Sequence, residues 1–318
     1  MIRIENKKTT ELSTEDLYQI LAGFNEVFSL NRPFEVMMNQ YTQNPLGYSY
    51  HNVVYDDDIV IGHTANVPSY YWVDGKKIEV VNGVDTFIKK EYRDGSIFLD
   101  HFTSTFQNLK ERGIKMQFGF PDAKVMKLYA KTRIVKKIGE MQTYILPYRI
   151  GGIKPSFKFF NMFTEAFAWS YVYFTGLFAS KKIRKFKIEK DAESYNATRY
   201  KRMDGDYQIV RDGDLEFFYK CMPFKGIRAA FLIDMTGKSA KNFNQAVKYI
   251  LKYNRKEFDV ILYVGNLYFP NTGLIKVPQK FAPKQFNFTI KFFDKGFNNQ
   301  IVNDIRNWDV NLATYDVI

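Results

Sequence analysis

One cysteine, Cys221, stands in 318 residues, and that scarcity excludes a disulfide framework. Histidine is nearly as rare. His51, His63 and His101 are scattered and have no cysteine partners, so their spacing matches no metal-binding pattern and no metal is expected. The amino terminus, Met1-Ile2-Arg3-Ile4-Glu5-Asn6-Lys7-Lys8, lacks the apolar run of a secretory signal, which points to a reduced, cytoplasmic setting. Acidic residues are also under-represented: 34 Asp and Glu against 46 Lys and Arg leave a formal charge of +12. Such a balance favours anionic partners, whether nucleotide-like cofactors, acidic carrier proteins, RNA or an anionic membrane surface, and does not choose among them.

Apolar matter is plentiful. At 46% hydrophobic residues, a chain of 318 is long enough for two domains, each with its own core. The first half alternates. Ile2 to Ile4 reads as a short strand, and Ser13 with Asp16 caps a helix whose apolar face is Leu17, Ile20, Leu21, Phe24, Val27 and Phe28. Pro33 opens a second helical stretch to about Tyr41. Strands follow at 48–55 and 59–68 around the turn Asp56-Asp57-Asp58, and 70–82 forms a hairpin around Asp74-Gly75.

The strand 84–88 then leads through Arg93-Asp94-Gly95-Ser96-Ile97 into a helix with Phe98, Phe102, Phe106 and Leu109 on one face. Gly113 stops that helix, and 115–120 is the next strand, making a right-handed βαβ unit. Ligands of such units sit at the carboxyl ends of the strands, and a helix start offers unpaired N–H groups and partial positive charge to a diphosphate.

With its flanks, Ile88-Lys89-Lys90-Glu91-Tyr92-Arg93-Asp94-Gly95-Ser96-Ile97-Phe98 resembles the V-x-P-e-y-R-G-x-G-I-g signature of GNAT acyltransferases. Asp94 and Ser96 stand where that family usually has glycine. Lys115-Met116-Gln117-Phe118-Gly119-Phe120-Pro121-Asp122 is similar to the family's fifth strand and its G-F-P-N turn. Leu128-Tyr129-Ala130-Lys131-Thr132-Arg133-Ile134 is similar to its f-Y-e-k-l-G-f segment, with Arg133 in place of glycine. Three matches in order over about 50 residues are more specific than a lone glycine loop.

The resemblance implies a mixed-sheet α/β fold that binds acetyl-CoA or another acyl-CoA as co-substrate. Phe87, Ile88, Arg93, Asp94, Gly95, Ser96, Ile97 and Phe98 would then form the cofactor-binding loop, and Tyr129 would be the general acid. Asp85, on the strand feeding the loop, is a candidate general base or a strand-edge carboxylate satisfied by a hydrogen bond.

Residues 151–190 differ in composition. From Phe159 to Ser180 there are nine aromatics and a single charge, Glu165, followed by Lys181, Lys182, Arg184, Lys185, Lys187 and Lys190. A buried inter-domain helix is the first expectation, with an interfacial amphipathic helix or a membrane span as alternatives. Asn161, Glu165 and several hydroxyls count against the span.

From Asp206 a second alternating region begins: a strand at 207–210, a helix from Asp214, a strand at 228–234, a helix capped by Ser239 with Phe243, Val247, Ile250 and Leu251 inward, and a strand at 259–264. Gly237-Lys238-Ser239 imitates the end of a phosphate-binding loop, but Leu232 occupies the place of the first glycine, so a turn and a cap are expected. Glu216 and Asp234 are carboxylates without diagnostic spacing.

The expected organisation is therefore two GNAT-like domains in tandem: 1–150 with the acyl-CoA loop, a connecting segment at 151–200, and a degenerate copy at 201–318. One equipped and one unequipped half is similar to GNAT proteins of bacterial surface-polysaccharide loci, as is the ending Asn307-Trp308-Asp309 with Tyr315-Asp316. The resemblance implies N-acylation of a primary amine, such as an amino sugar carried on a nucleotide or lipid. The alternatives are an aminoacyl-tRNA-dependent transferase of the Fem type and a non-catalytic scaffold. An anionic membrane surface at 159–190 is a further candidate partner; nucleic acid is not expected, and the sequence sets no oligomeric state.

Overall fold

In the computed structural model the described residues are 1–93, 96–183, 185–202, 207–213, 215–294, 296 and 300–315. After β1 (Ile2–Lys8), Ser13 Oγ accepts from the Asp16 N–H at 3.0 Å while the Asp16 carboxylate takes the Ser13 N–H at 3.1 Å. This reciprocal cap starts α1 (Thr14–Phe28), which buries Leu17 and Ile20 with Leu21, Phe24 and Val27 packed beside them. Pro33 precedes α2 (Phe34–Thr42). The chain then runs back and forth through β2 (Tyr50–Asp56), β3 (Ile59–Val73) and β4 (Lys76–Ile88). Asp74 and Gly75, with φ of 49° and 74°, make the left-handed two-residue turn between the last two. The pieces expected at 59–68, 70–82 and 84–88 are thus two long strands, continuous because their pairing persists from Gly62↔Ile88 to Val73↔Lys76.

Next come α3 (Ser96–Glu111), β5 (Met116–Gly119), α4 (Ala123–Thr132), β6 (Lys136–Glu140), β7 (Gln142–Pro147), α5 (Ile150–Ile153) and α6 (Asn161–Leu177). They are followed by β8 (Ile188–Lys190), α7 (Ala192–Ala197), β9 (Gln208–Asp212), β10 (Leu215–Phe224), β11 (Ile227–Met235) and α8 (Ala240–Tyr253). The last elements are β12 (Val260–Gly265), β13 (Ile275–Lys276), β14 (Asn287–Phe292) and α9 (Leu312–Tyr315).

Two compact units result. The first comprises Met1–Gly139, Lys187–Gly205 and Asn287–Asn307; the second comprises Glu140–Phe186, Asp206–Phe286 and Trp308–Ile318. The first sheet has the order β1-β2-β3-β4-β5-β14-β6, with β8 on β3, and the second has β13-β7-β12-β11-β10-β9. In each, one parallel pair, β4 with β5 or β11 with β12, is joined through a single helix. In each, the strand that flanks this pair comes from far along the chain: β14 pairs with β5, and β7 pairs with β12. Residues 142–147 and 287–292 have in effect changed places. This exchange is why the units differ from the contiguous blocks 1–150, 151–200 and 201–318 read from composition.

Two further expectations are corrected. The helix from Asp214, a residue outside the described ones, is the strand β10: Leu215, Phe217 and Tyr219 alternate into the core, a period of two rather than 3.6. The segment expected as a buried inter-domain helix is α6, which buries only Ala168 and Val172 and leaves its aromatics largely exposed. Among the described residues no helix is long and apolar enough to cross a membrane.

Candidate active site at the end of a parallel strand pair

β4 and β5 stay paired through Val81↔Gln117, Asn82↔Phe118 and Gly83↔Gly119, and there the pairing stops. Gly83 lies against the end of the Gln117 side chain, and a Cβ on it would come within 2.8 Å of Gln117 Nε2. Beyond this point β4 continues beside β3 alone, and Val84, Asp85 and Thr86 are partly exposed. The β3–β4 register shifts here, His63↔Phe87 being followed by Ala65↔Val84, a bulge that twists the strand locally. Asp85 sits in the bulge with a left-handed φ of 50°, a conformation that a non-glycine residue keeps only when its surroundings hold it.

Those surroundings form a buried polar network. Arg32 Nη1 donates to Asp85 Oδ2 at 2.7 Å, the Tyr41 hydroxyl donates to the same oxygen at 2.8 Å, and Arg32 Nη2 also donates to Gln40 Oε1. The Asp85 carbonyl lies 3.3 Å from His63 Nδ1, His63 Nε2 lies 2.9 Å from His51 Nδ1, and His51 Nε2 lies 2.9 Å from the Thr9 hydroxyl. This chain is satisfied when each imidazole is neutral, with one nitrogen donating and the other accepting, and a proton added to both rings would set His63 Nε2–H against His51 Nδ1–H. His101 stands close by, its Nε2 2.6 Å from Thr64 Oγ1, which in turn lies 3.2 Å from Thr86 Oγ1. Burial lowers His63 and His101 to about 3 and His51 well below its usual value. Burial, and then the Asp85 charge, push the Tyr41 phenol well up. Sequence reasoning missed this gathering of all three histidines. The one available signal was that His51 and His63 stand on successive strands of a hairpin.

The expected site residues take these places. Asp85 is held by Arg32 and Tyr41 rather than standing free. The Phe87 side chain is buried against α1, where a Cβ on Gly23 would meet its ring at 2.7 Å. The Ile88 carbonyl accepts from Arg93 Nε at 2.8 Å, after a 3-10 turn, Lys90–Tyr92, absent from the sequence expectation. Asp94 and Gly95 lie outside the described residues. Ser96 opens α3 and is exposed, and Ile97 is partly exposed. Phe98 packs at 4.7 Å from the Phe102 ring and 6.3 Å from Tyr129. Tyr129 is on α4, 5.7 Å from Phe102, and burial together with the Asp122 charge pushes its pKa up.

The departures from the family pattern around α4 preserve its geometry. Asp122 caps the helix by accepting from the Lys124 and Val125 N–H groups at 2.8 Å each, which an asparagine oxygen would also do. Arg133 ends the helix with a φ of 55°, taking the left-handed position where the family has glycine.

The corresponding place in the second unit is filled. β11 and β12 pair from Ala229↔Val260 to Leu232↔Tyr263. Past that point Asn311 bridges Gly265, the Asn266 N–H donates to the Val310 carbonyl at 3.0 Å, and Trp308 is fully buried. Asn311 Nδ2 donates to Asp234 Oδ1 at 2.6 Å, and Lys238 Nζ reaches both Asp234, at 3.3 Å, and Asp309. Burial opposes the Lys238 charge, yet the two carboxylates hold its pKa above the usual value. Gly237-Lys238-Ser239 is the turn and cap expected, Ser239 Oγ accepting from the Asn242 N–H at 3.1 Å. Glu216 pairs with Arg211 at 2.7 Å. Asp316 lies outside the described residues.

No family model matches the sequence, and no curated protein matches it. Solved structures do. A GCN5-related N-acetyltransferase of Anabaena variabilis superposes with a TM-score of 0.61 at 13% identity, over 92% of this chain and 73% of that one. A probable N-acyltransferase of Enterococcus faecalis gives 0.60 at 8% identity, over 92% of this chain and 73% of that one. Eis1 of Mycobacterium abscessus gives 0.55 at 12% identity, over 92% of this chain and 74% of that one. The chain therefore has the fold of the GCN5-related N-acetyltransferases, a mixed α/β architecture in two units.

Proposed function

We propose that the protein is an acyl-CoA-dependent N-acyltransferase whose reaction takes place where β4 and β5 part. The observation that carries the reading is the partly exposed stretch from Gly83 to Thr86 where β4 and β5 part, with Thr86 linked through Thr64 to His101 of α3. An acyl-CoA would be the co-substrate there. The dipole at a helix start favours the negative charge of its diphosphate. Arg93 spends its Nε on the Ile88 carbonyl and would offer its Nη donors to phosphate oxygens.

Transfer from a thioester to an amine needs a deprotonated amine, a polarised carbonyl and a proton for the departing thiolate. Asp85 would take the amine proton on Oδ1, because Arg32 and Tyr41 both occupy Oδ2. The Tyr129 phenol, whose raised pKa keeps it protonated at neutral pH, would donate its proton to the departing CoA thiolate. The acceptor is an amine-bearing small molecule, in our reading an amino sugar of a surface polysaccharide on a nucleotide or lipid carrier, taken from the resemblance to polysaccharide-locus proteins.

Native-state binding raises stability by about 2.7 kcal/mol at one hundred times Kd, so a thermal-shift titration with CoA tests the first step. An upward shift that saturates supports the reading, and no shift at about millimolar CoA ends it. Thiol release from acetyl-CoA with a panel of amino sugars, amino acids and polyamines then tests the acceptor. Turnover confined to non-sugar amines would overturn the sugar assignment alone.

A further inference from the structure

The outward face of α6 inverts the usual order of a surface helix. Met162, Phe163, Phe167, Tyr173, Phe174 and Leu177 recur at helical spacing on the exposed side, with Ala166 and Ser170 between them and no charge anywhere in the stripe. Met162 is 71% exposed, and Phe178, just past the helix end, is 76% exposed. Glu165, Thr164 and Thr175 lie on the opposite, inner side. Glu165 accepts from Arg149 Nε at 2.7 Å, Thr164 Oγ1 donates to the Tyr148 carbonyl at 2.9 Å, and Asn244 of α8 donates to the Val172 carbonyl and Thr175 Oγ1, each at 3.0 Å. Gly176 lets α8 come close, since a Cβ there would lie 2.7 Å from Asn244 Oδ1. These bonds fix the helix rotation, so the aromatic face is held outward by design of the inner face.

Charge identifies what covers it. Residues 149–187 carry eight Lys and Arg and one carboxylate, Glu165, which is engaged by Arg149. Lys154 and Lys158 precede the helix, Lys181 and Lys182 follow it, and all four are exposed. A second copy of the chain stacked on this stripe, in either direction, would set lysines against lysines. An anionic lipid surface instead complements both ends while its acyl boundary takes the aromatics. We infer that the outward face of α6 and its flanking lysines are a docking surface for an anionic bilayer, on which the helix lies in the interfacial plane. The inference stands independently of the catalytic reading.

The test is flotation of the full-length protein with phosphatidylcholine vesicles, with and without about 30% phosphatidylglycerol. The protein should rise with the anionic vesicles and stay behind with the neutral ones. It should be released in about 1 M salt, where the Debye length falls from about 10 Å to about 3 Å. Phe167→Glu with Phe174→Glu should abolish flotation without lowering Tm, because both side chains are exposed. Lys181→Glu with Lys182→Glu should weaken it roughly tenfold or more, an arm that does not depend on how the aromatic variant folds. Failure to float with anionic vesicles, or equal flotation with neutral ones, would overturn the inference. So would a wild-type dimer that the aromatic variant splits and that binds no vesicle, since the stripe would then be a self-association surface.

Discussion

β4, α3 and β5 in the first unit and β11, α8 and β12 in the second are the same arrangement of strand, helix and parallel strand, with opposite outcomes at the open end. In the first unit, hydrogen bonds from α2, β2 and β3 support the β4 bulge while Val84, Asp85 and Thr86 stay partly exposed. In the second, β11 is buried from Ala229 to Met235, and the segment around Trp308 to Asn311 completes the hydrogen bonding that parted strands leave undone. Among the described residues the end of the first parallel pair is thus left partly exposed, and that of the second is covered by a later segment of the chain. The two polar networks differ in the same sense. Arg32, Tyr41 and the histidines hold a strand in a strained conformation, whereas Lys238 bridges the two carboxylates of Asp234 and Asp309 beside a plug.

Acid should separate the units most strongly. All three histidines lie in the first and none in the second. Their folded pKa values fall below the unfolded value of about 6.5, so the unfolded chain binds protons first, and stability present above pH 6.5 is lost as pH falls toward 3. At pH 5 each buried histidine costs on the order of 2 kcal/mol. Urea unfolding followed by two-dimensional NMR at pH 7 and pH 5 should show signals of the first unit melting early. Equal losses in both units would mean that the histidines do not govern the acid response.

Trp308→Ala is the next largest effect, about 3–5 kcal/mol from loss of a fully buried indole in the second unit. CoA affinity should survive it at temperatures below the lowered melting point. A matching loss of CoA binding in isothermal titration, with the first unit still folded, would place the cofactor in the wrong half of our comparison.

Tyr129→Phe should cut turnover by roughly 10²-fold, as is usual for removal of a general acid, and leave CoA affinity and Tm nearly unchanged. Steady-state kinetics beside a melting curve decides between acid and packing residue. Unchanged turnover assigns the proton to another donor, and a collapsed Tm assigns Tyr129 to the Phe98 and Phe102 cluster alone.

The smallest effect belongs to the loop. Arg93→Ala should weaken CoA about tenfold through loss of a charge-assisted contact, whereas Asp94→Gly should bind as well or better because a negative charge leaves the neighbourhood of a diphosphate. Isothermal titration of both variants reads the ordering directly. The reverse order would remove the loop from the cofactor site.

Local chemistry was legible in the linear chain. The Ser13 and Ser239 caps, the Asp74-Gly75 turn and the buried face of α8 depend on neighbours within a few residues, and each formed where its residues predicted. β10 was misread because its run of Phe217, Phe218 and Tyr219 fits either period until one face is buried. The outward face of α6 was hidden for a related reason: composition reports how many aromatics a helix has, and only the bonds of Glu165, Thr164 and Thr175 decide which way they turn.

What the sequence by itself determined is part of the elements, among them α1, α2, α3, α8 and the β3–β4 hairpin, with their caps and turns, since these follow from short-range sterics and hydrogen bonding. Tertiary structure alone decided that β7 and β14 change sheets, that three distant histidines meet beneath the β4 bulge, that Asp85 is claimed by Arg32 and Tyr41, and that the segment around Trp308 covers the end of β12 while Val84, Asp85 and Thr86 stay partly exposed. These outcomes depend on pairing between residues more than a hundred positions apart, or on side chains from three or more elements converging. Such contacts are selected by burial of the whole core and leave no periodic mark on the chain itself.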